Sequence, residues 1–352
     1  VACFSLQKKR VSCRNKMNTE QVARLCETLN LGAGLVEPEA VVGGLLHRMW
    51  RLRTTHGSFA VKCLNPAIMQ KPGVDHLYRL SEQVAARCVA CGVPAIAALQ
   101  NAAGDVIQEL ADAQVMVYPW VDGVMLGPGA AGTGHAQRLG AVLAQIHSLN
   151  LQIPGLTAHE WSHFHDEDWD ILTYQASDPT LPWAYPIRAA MPRLLALTRA
   201  YESAGPALTQ RMVVSHTDLD QKNVLWRNAQ TPCLVDWEAA GLINPTMELV
   251  SVALYWAGLA TGEPDEGVFA ATIEGYVEAG GVVADNGLDA IHGFMGTWLG
   301  WLLFNMRRSL GESAGSDEER EVGIRETKAT LAILLLMDKR SHVWARWVDA
   351  WR

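Results

Sequence analysis

A chain of 352 residues exceeds one average domain and points to two lobes or one large α/β unit. With 49% hydrophobic and 19% charged residues it carries enough apolar surface to offset its ordering entropy, which excludes disorder as the main state. A net charge of −8 speaks against nucleic acid as a partner, and the longest aliphatic run, Leu331 to Met337, is far short of the ~20 residues that span a bilayer. The charge is unevenly spread: residues 1–122 carry 13 Lys/Arg against 10 Asp/Glu, and the remainder 16 against 27. Such a gradient suits an anionic ligand at one end and a cationic one at the other, although a solvated acidic surface has the same arithmetic.

In chain order, residues 1–17 read as a flexible extension without the apolar core of a secretory signal, and Met17 reads as the natural start. Seven scattered cysteines read as buried thiols, including the Cys88/Cys91 pair, and thiols of this kind fit a cytoplasmic location. A short helix from Thr19 leads to three extended stretches, 39–44, 46–54 and 58–64, the first ending at Gly43-Gly44 and the last two joined at a His56-Gly57 turn. In the third stretch Phe59, Val61 and Cys63 face one way, and Ala60 and Lys62 the other. A helix over Val74 to Cys91 is expected to bury Leu77, Leu80/Val84, Cys88 and Cys91, and Gly92 and Pro94 stop it. Extended segments follow at 95–100, 106–110 and 114–118, then a Pro/Gly-marked crossover. From Gly134 onward the chain reads as mostly helical, beginning with an amphipathic helix to Asn150.

The stretch from Val213 to Gly241 carries the chemistry. One apolar strand delivers His216, Asp218 and Asn223 onto a loop, and a later one delivers Asp236. Asn223 and Asp236 offer the oxygen ligands that Mg²⁺ prefers. Asp218, five residues before Asn223, is placed to orient an attacking hydroxyl and accept its proton, as phosphoryl transfer requires.

The pattern H-x-D-x-x-x-x-N at His216–Asn223, followed 13 residues later by Asp236 after an apolar strand, resembles the catalytic and metal loops of the protein-kinase-like fold. The wording HTDLDQKNVLW and LVDWEAAG, with LGAVLAQIHSL at 139–149 and Phe59-Ala60-Val61-Lys62 upstream, is more closely similar to the aminoglycoside phosphotransferase family and its choline, homoserine and thiamine kinase relatives.

That resemblance implies a bilobal, protein-kinase-like α/β (α+β) fold. Residues 18–118 are expected to form a nucleotide-binding N-lobe with a five-stranded antiparallel sheet and one long helix. Residues 119–123 would be a hinge, and 124–352 a mostly helical C-lobe holding the catalytic loops and the acceptor site. It implies ATP, with GTP as the alternative, and Mg²⁺ as cofactors. Lys62 would hold the α- and β-phosphates with Glu82 as its partner; a lysine snorkelling at a strand edge is the plainer reading. Ala60 would leave room for the purine, Tyr118 would sit at the back of the pocket, and the Pro119 carbonyl and Val121 N–H would meet the base edge. His216 would orient the catalytic loop. Asp220 reads as a loop cap, and Glu238 as a backup to the metal site or a loop acceptor.

The first hairpin lacks G-x-G-x-x-G and no Ala-Pro-Glu follows Asp236, which points away from peptide substrates. The acceptor is therefore expected to be a small, cationic molecule carrying a hydroxyl, drawn to acids such as Asp166, Glu167, Asp168, Glu263, Asp265 and Glu278, and the protein to be a monomer. An aminoglycoside-type antibiotic is favoured. A metabolic kinase for a small alcohol or amino alcohol and a non-catalytic nucleotide-binding protein are the rivals. Tryptophan pairs such as Trp298/Trp301 and Trp344/Trp347 read as core packing between helices.

Overall fold

The computed structural model describes residues 17–41, 47–111, 113–157, 160–175, 177, 180–312 and 316–352. The Gly43-Gly44 turn lies outside the described residues. The chain divides into two compact units: 1–124 with 153–156 and 233–240, and 125–152 with 157–232 and 241–352.

The first unit opens with α1 (Thr19–Thr28), whose start is set by a reciprocal capping box. The Asn18 side chain accepts from the Gln21 N–H at 2.8 Å, and the Gln21 side chain accepts from the Asn18 N–H at 2.9 Å. Strands β1 (Glu39–Val41), β2 (Arg48–Thr54), β3 (Gly57–Cys63), β4 (Gln108–Leu110) and β5 (Ala113–Pro119) form one five-stranded sheet in the order β1-β2-β3-β5-β4, with every pairing antiparallel. Strand alternation gives it two faces. On one, Trp50, Leu52, Val61, Val115 and Val117 pack with Val22, Leu25 and Cys26 of α1. Each fully buried aliphatic side chain there contributes about 1.5–3 kcal/mol. On the other, Ala60, Met116 and Tyr118 pack with Tyr78 of α3 (Val74–Ala90) and with Ala98, Val106 and Ile107. A single-turn helix, α2 (Pro66–Met69), links β3 to α3.

Two expectations change here. The apolar stretch 95–100 makes no sheet strand: Ala95 forms one isolated parallel bridge to Leu234, and the Ala98 N–H is taken by the Glu82 carboxylate at 2.7 Å. Helix α3 is turned relative to its apolar pattern. Leu77 is 51% exposed and Cys91 is exposed, while Tyr78, Ser81, Glu82, Ala85 and Cys88 are inside with Leu80 and Val84. Polar side chains take core positions because the sheet face they meet carries Lys62 and the Tyr118 hydroxyl.

The second unit is helical: α4 (Thr133–Ser148), α5 (Asp166–Gln175), α6 (Ala184–Leu208), α7 (Pro245–Trp256), α8 (Glu266–Glu278), α9 (Gly287–Leu310) and α10 (Asp317–Asp349). Small residues let α4 and α8 touch backbone to backbone. A Cβ on Gly140 would lie 2.0 Å from the Thr272 carbonyl, and one on Gly275 would lie 2.0 Å from the Gln137 carbonyl. Trp344 is fully buried, as core packing predicts, while Trp301 stacks on Phe304 of its own helix at 5.3 Å. Several of the C-lobe acids have structural work: Asp265 caps α8, Asp168 pairs with Arg307 at 3.1 Å, and Glu278 accepts from Gln137. The remaining strands are β6 (Val213–Ser215), β7 (Val224–Trp226), β8 (Pro232–Leu234) and β9 (Gly241–Ile243), of which β6 and β9 pair antiparallel. Among the described residues no helix is long and apolar enough to cross a membrane.

Candidate active site

In the first unit, strand alternation turns Lys62 onto the same sheet face as Ala60, opposite Met116 and Tyr118 in register. Its ammonium is buried and meets two carboxylates of the segment after β8: Asp236 Oδ1 at 2.8 Å, and Glu238. Burial works against the charge, yet these two carboxylates hold the Lys62 pKa above its ordinary value. Asp236 stands in a left-handed backbone conformation (φ 62°, ψ 66°), rare for a non-glycine residue, and begins a 3-10 turn over Trp237–Ala239.

Glu82 does not pair with Lys62. Its carboxylate accepts from the Ala98 N–H at 2.7 Å and from the Tyr118 hydroxyl at 2.8 Å, and burial raises its pKa. Tyr118 is buried behind the sheet face that Ala60 shares, with its hydroxyl pinned by Glu82. Pro119 ends β5 opposite Phe59, and Val121 follows as a buried residue. Arg51 covers the Trp120 ring at 4.4 Å, and the Trp120 indole N–H donates to Asp122.

In the second unit, β6 runs into the loop carrying His216, Thr217 and Asp218. His216 is fully buried. Thr217 has φ 63°, a strained value for a β-branched residue. Asn223 Nδ2 donates both to the Asp218 carbonyl at 2.7 Å and to Asp218 Oδ2 at 2.9 Å, so its Oδ1 is the amide atom left for a cation. Asp220 caps the Gln221–Asn223 turn by accepting from the Lys222 N–H at 2.7 Å. The Lys222 ammonium lies 3.2 Å from Asp218 and 3.0 Å from Asp220. Burial raises the Asp218 pKa; Lys222 pulls it back and Asp220 pushes it further up. The result is a carboxylate more basic than a free one.

Helix α7 holds this loop. Its own start is fixed by Asn244, which caps Met247 while donating to the Leu208 and Arg211 carbonyls. One turn in, the fully buried Glu248 accepts from the Thr217 N–H at 2.7 Å and meets His147 Nε2 at 2.7 Å, and His147 Nδ1 meets the Tyr276 hydroxyl at 2.8 Å. At its far end Trp256 donates its indole N–H to the Leu219 carbonyl, and the Tyr255 carbonyl accepts from Gln221. Burial raises the Tyr255 pKa, and Asp218 and Asp220 raise it further.

The sequence reading did not single out three residues that hold this loop: Lys222, Glu248 and His147. Only His147 left a trace, as the end of the 139–149 helix motif. In the first unit Asp236 offers carboxylate oxygens beside the buried Lys62 cation, and in the second Asn223 Oδ1 lies on the same loop as a carboxylate of raised basicity.

Residues 37–282 match the phosphotransferase enzyme family. Among solved structures the chain is similar to spectinomycin phosphotransferase in complex with ADP and spectinomycin, at 14% identity and a TM-score of 0.70 over 92% of this chain and 99% of that one. It is also similar to a microcompartment-associated aminopropanol kinase, at 16% identity and 0.59 over 94% and 99%. The ethanolamine kinase of Plasmodium vivax matches at 11% identity and 0.54 over 84% and 81%. No curated protein matches the chain in sequence.

Proposed function

Because the chain belongs to the phosphotransferase enzyme family, we propose that it moves the γ-phosphoryl group of ATP to a hydroxyl of a small, cationic acceptor, with an aminoglycoside-type antibiotic favoured. The observation that carries this reading is the pair of prepared centres: Lys62 on Asp236 at 2.8 Å in the first unit, and Asp218 held by Asn223 and Lys222 in the second. The lobes assigned in the sequence, 18–118 and 124–352 about a hinge at 119–123, frame the proposal.

Lys62 meets the α- and β-phosphates, with Ala60, Tyr118, Pro119 and Val121 around the base. Asp236 and Asn223 hold Mg²⁺, which neutralises phosphate charge when bound. Asp218 orients the acceptor hydroxyl and takes its proton; its raised basicity suits that task. Lys222, beside Asp218, offers a second cation for charge that develops during transfer. His216, buried behind the loop, orients it.

An amino-alcohol acceptor is the second reading. The similarity to aminopropanol and ethanolamine kinases supports it. Nucleotide consumption measured against a panel of aminoglycosides, other antibiotics and amino alcohols separates the two. Turnover with an antibiotic that Asp218→Ala abolishes supports the first reading, and turnover with amino alcohols alone supports the second. Turnover that survives Asp218→Ala refutes the catalytic assignment.

A further inference from the structure

Lys62 is expected to depend on a helix carboxylate, but the nearest candidate in α3 is committed elsewhere. Both oxygens of Glu82 are in use, one on the Ala98 N–H and one on the Tyr118 hydroxyl. The ammonium rests instead on Asp236 and Glu238, and these two carboxylates differ. The Asp236 side chain is 44% exposed and sits on a turn that presents it to solvent; Glu238 is 18% exposed and enclosed by donors. His47 Nε2 lies 3.2 Å from Glu238 Oε1 and 2.8 Å from the Tyr78 hydroxyl. His47 Nδ1 accepts the Asn65 N–H at 2.9 Å, so in the neutral ring the proton belongs on Nε2, facing Glu238 and Tyr78. The imidazole also packs edge-on against Tyr78, with centroids 5.9 Å apart.

We infer that Glu238, locked by His47 and Tyr78, is the residue that positions the Lys62 ammonium for the nucleotide, in place of the α3 carboxylate Glu82. The inference rests on the proposed nucleotide role of Lys62 and assigns its support. The two acids after β8 divide the work. The exposed Asp236 is able to turn its carboxylate to a cation, while the enclosed Glu238 stays on Lys62, so a buried ammonium is never left without a counter-charge. The lock matters because a glutamate has three rotatable bonds. Lys62 and His47 both lie against Glu238 Oε1, and Tyr78 behind His47 fixes the imidazole, which limits where the carboxylate rests. His47 and Tyr78 act through Glu238 and are positioning residues.

The test measures ADP affinity by calorimetry, with and without Mg²⁺, for the full chain and five variants, beside their unfolding midpoints. Lys62→Ala is expected to abolish binding. Glu238→Gln is expected to weaken ADP by about tenfold or more, the scale of a hydrogen bond to a charged group, and Glu82→Gln by less than about threefold. His47→Leu should weaken ADP in the same direction, and His47→Gln, whose amide N–H replaces Nε2–H, should restore it. That rescue distinguishes positioning from bulk packing and keeps the test decisive if Glu238→Gln does not fold. Equal losses for Glu82→Gln and Glu238→Gln, or His47→Leu binding ADP like the unsubstituted chain, overturn the inference. Unchanged affinity in Lys62→Ala overturns the nucleotide reading beneath it, and the inference with it.

Discussion

Glu248 anchors the loop that carries Asp218. The carboxylate is fully buried, with one oxygen on the Thr217 N–H and the other on His147, both at 2.7 Å. Burial alone would raise its pKa, but His147 and the Thr217 N–H reverse this and hold it below the ordinary value, so it is an anion at neutral pH. Truncation to alanine strands the Thr217 N–H and the imidazole in a dry interior, a loss of about 3–5 kcal/mol by the scale of a broken buried pair. It also releases Thr217 from its strained φ of 63°, so the loop relaxes and Asp218 leaves its position. Glu248→Gln removes the charge but not the shape. Its oxygen still accepts from Thr217, and His147 shifts its proton to Nδ1, accepts the new amide N–H at Nε2 and donates to Tyr276. The expected cost is about 1–2 kcal/mol, the difference between charge-assisted and neutral hydrogen bonds. Urea unfolding together with kcat on the acceptor found by screening reads both. Glu248→Ala should lose turnover by about a hundredfold or more, and Glu248→Gln by less than about tenfold. Near-normal kcat in Glu248→Ala refutes the loop-anchoring argument; equal damage from both variants refutes the hydrogen-bond account in favour of charge alone.

Three further outcomes follow from the same geometry. The acid limb of kcat/KM should lie above the ordinary aspartate value, since Asp218, as the proposed base, must be ionised and burial raises its pKa. Removing the opposing cation in Lys222→Met should move the limb higher still, and a move to lower pH contradicts the assignment. Glu238, pulled down to about 2 by His47 and Lys62 against the cost of burial, stabilises the fold above its unfolded pKa near 4.5, and that stability drains away as pH falls from there toward 2. The amount is on the order of 3 kcal/mol. Urea midpoints of Glu238→Gln should therefore depend less on pH across that window, and parallel curves would count against the lock. Gly275→Ala should destabilise the fold by about 1–3 kcal/mol or more, read from urea unfolding, because the new methyl meets the Gln137 carbonyl at 2.0 Å; an unchanged midpoint would mean that α4 and α8 separate at no cost.

Much of the fold and part of the site are legible along the chain, because both rest on local rules. Period-two alternation in β3 puts Lys62 on the face opposite Val61 and Cys63 before any coordinates are seen. The spacing of His216, Asp218 and Asn223 identifies one loop because the three lie within eight residues of each other. Pattern fails where polar groups are buried for a purpose. Helix α3 buries Leu80, Val84 and Cys88 as its pattern predicts, but turns Leu77 outward and Tyr78 and Glu82 inward, which hydrophobic periodicity does not show. The 95–100 segment has the composition of a strand, but its Ala98 N–H goes to a side chain instead of a neighbouring strand.

Sequence alone determined the family to which the chain belongs and offered side chains of the types that phosphoryl transfer uses, since residue type and short-range spacing are written in one dimension. Only the tertiary structure decided which of those side chains meet. Lys62 and Glu238 are separated by half of the chain, and His147 and Glu248 by more than a quarter of it, and an ion pair depends on distance in space. Which carboxylate a buried cation finds is therefore set by packing, however the motif reads.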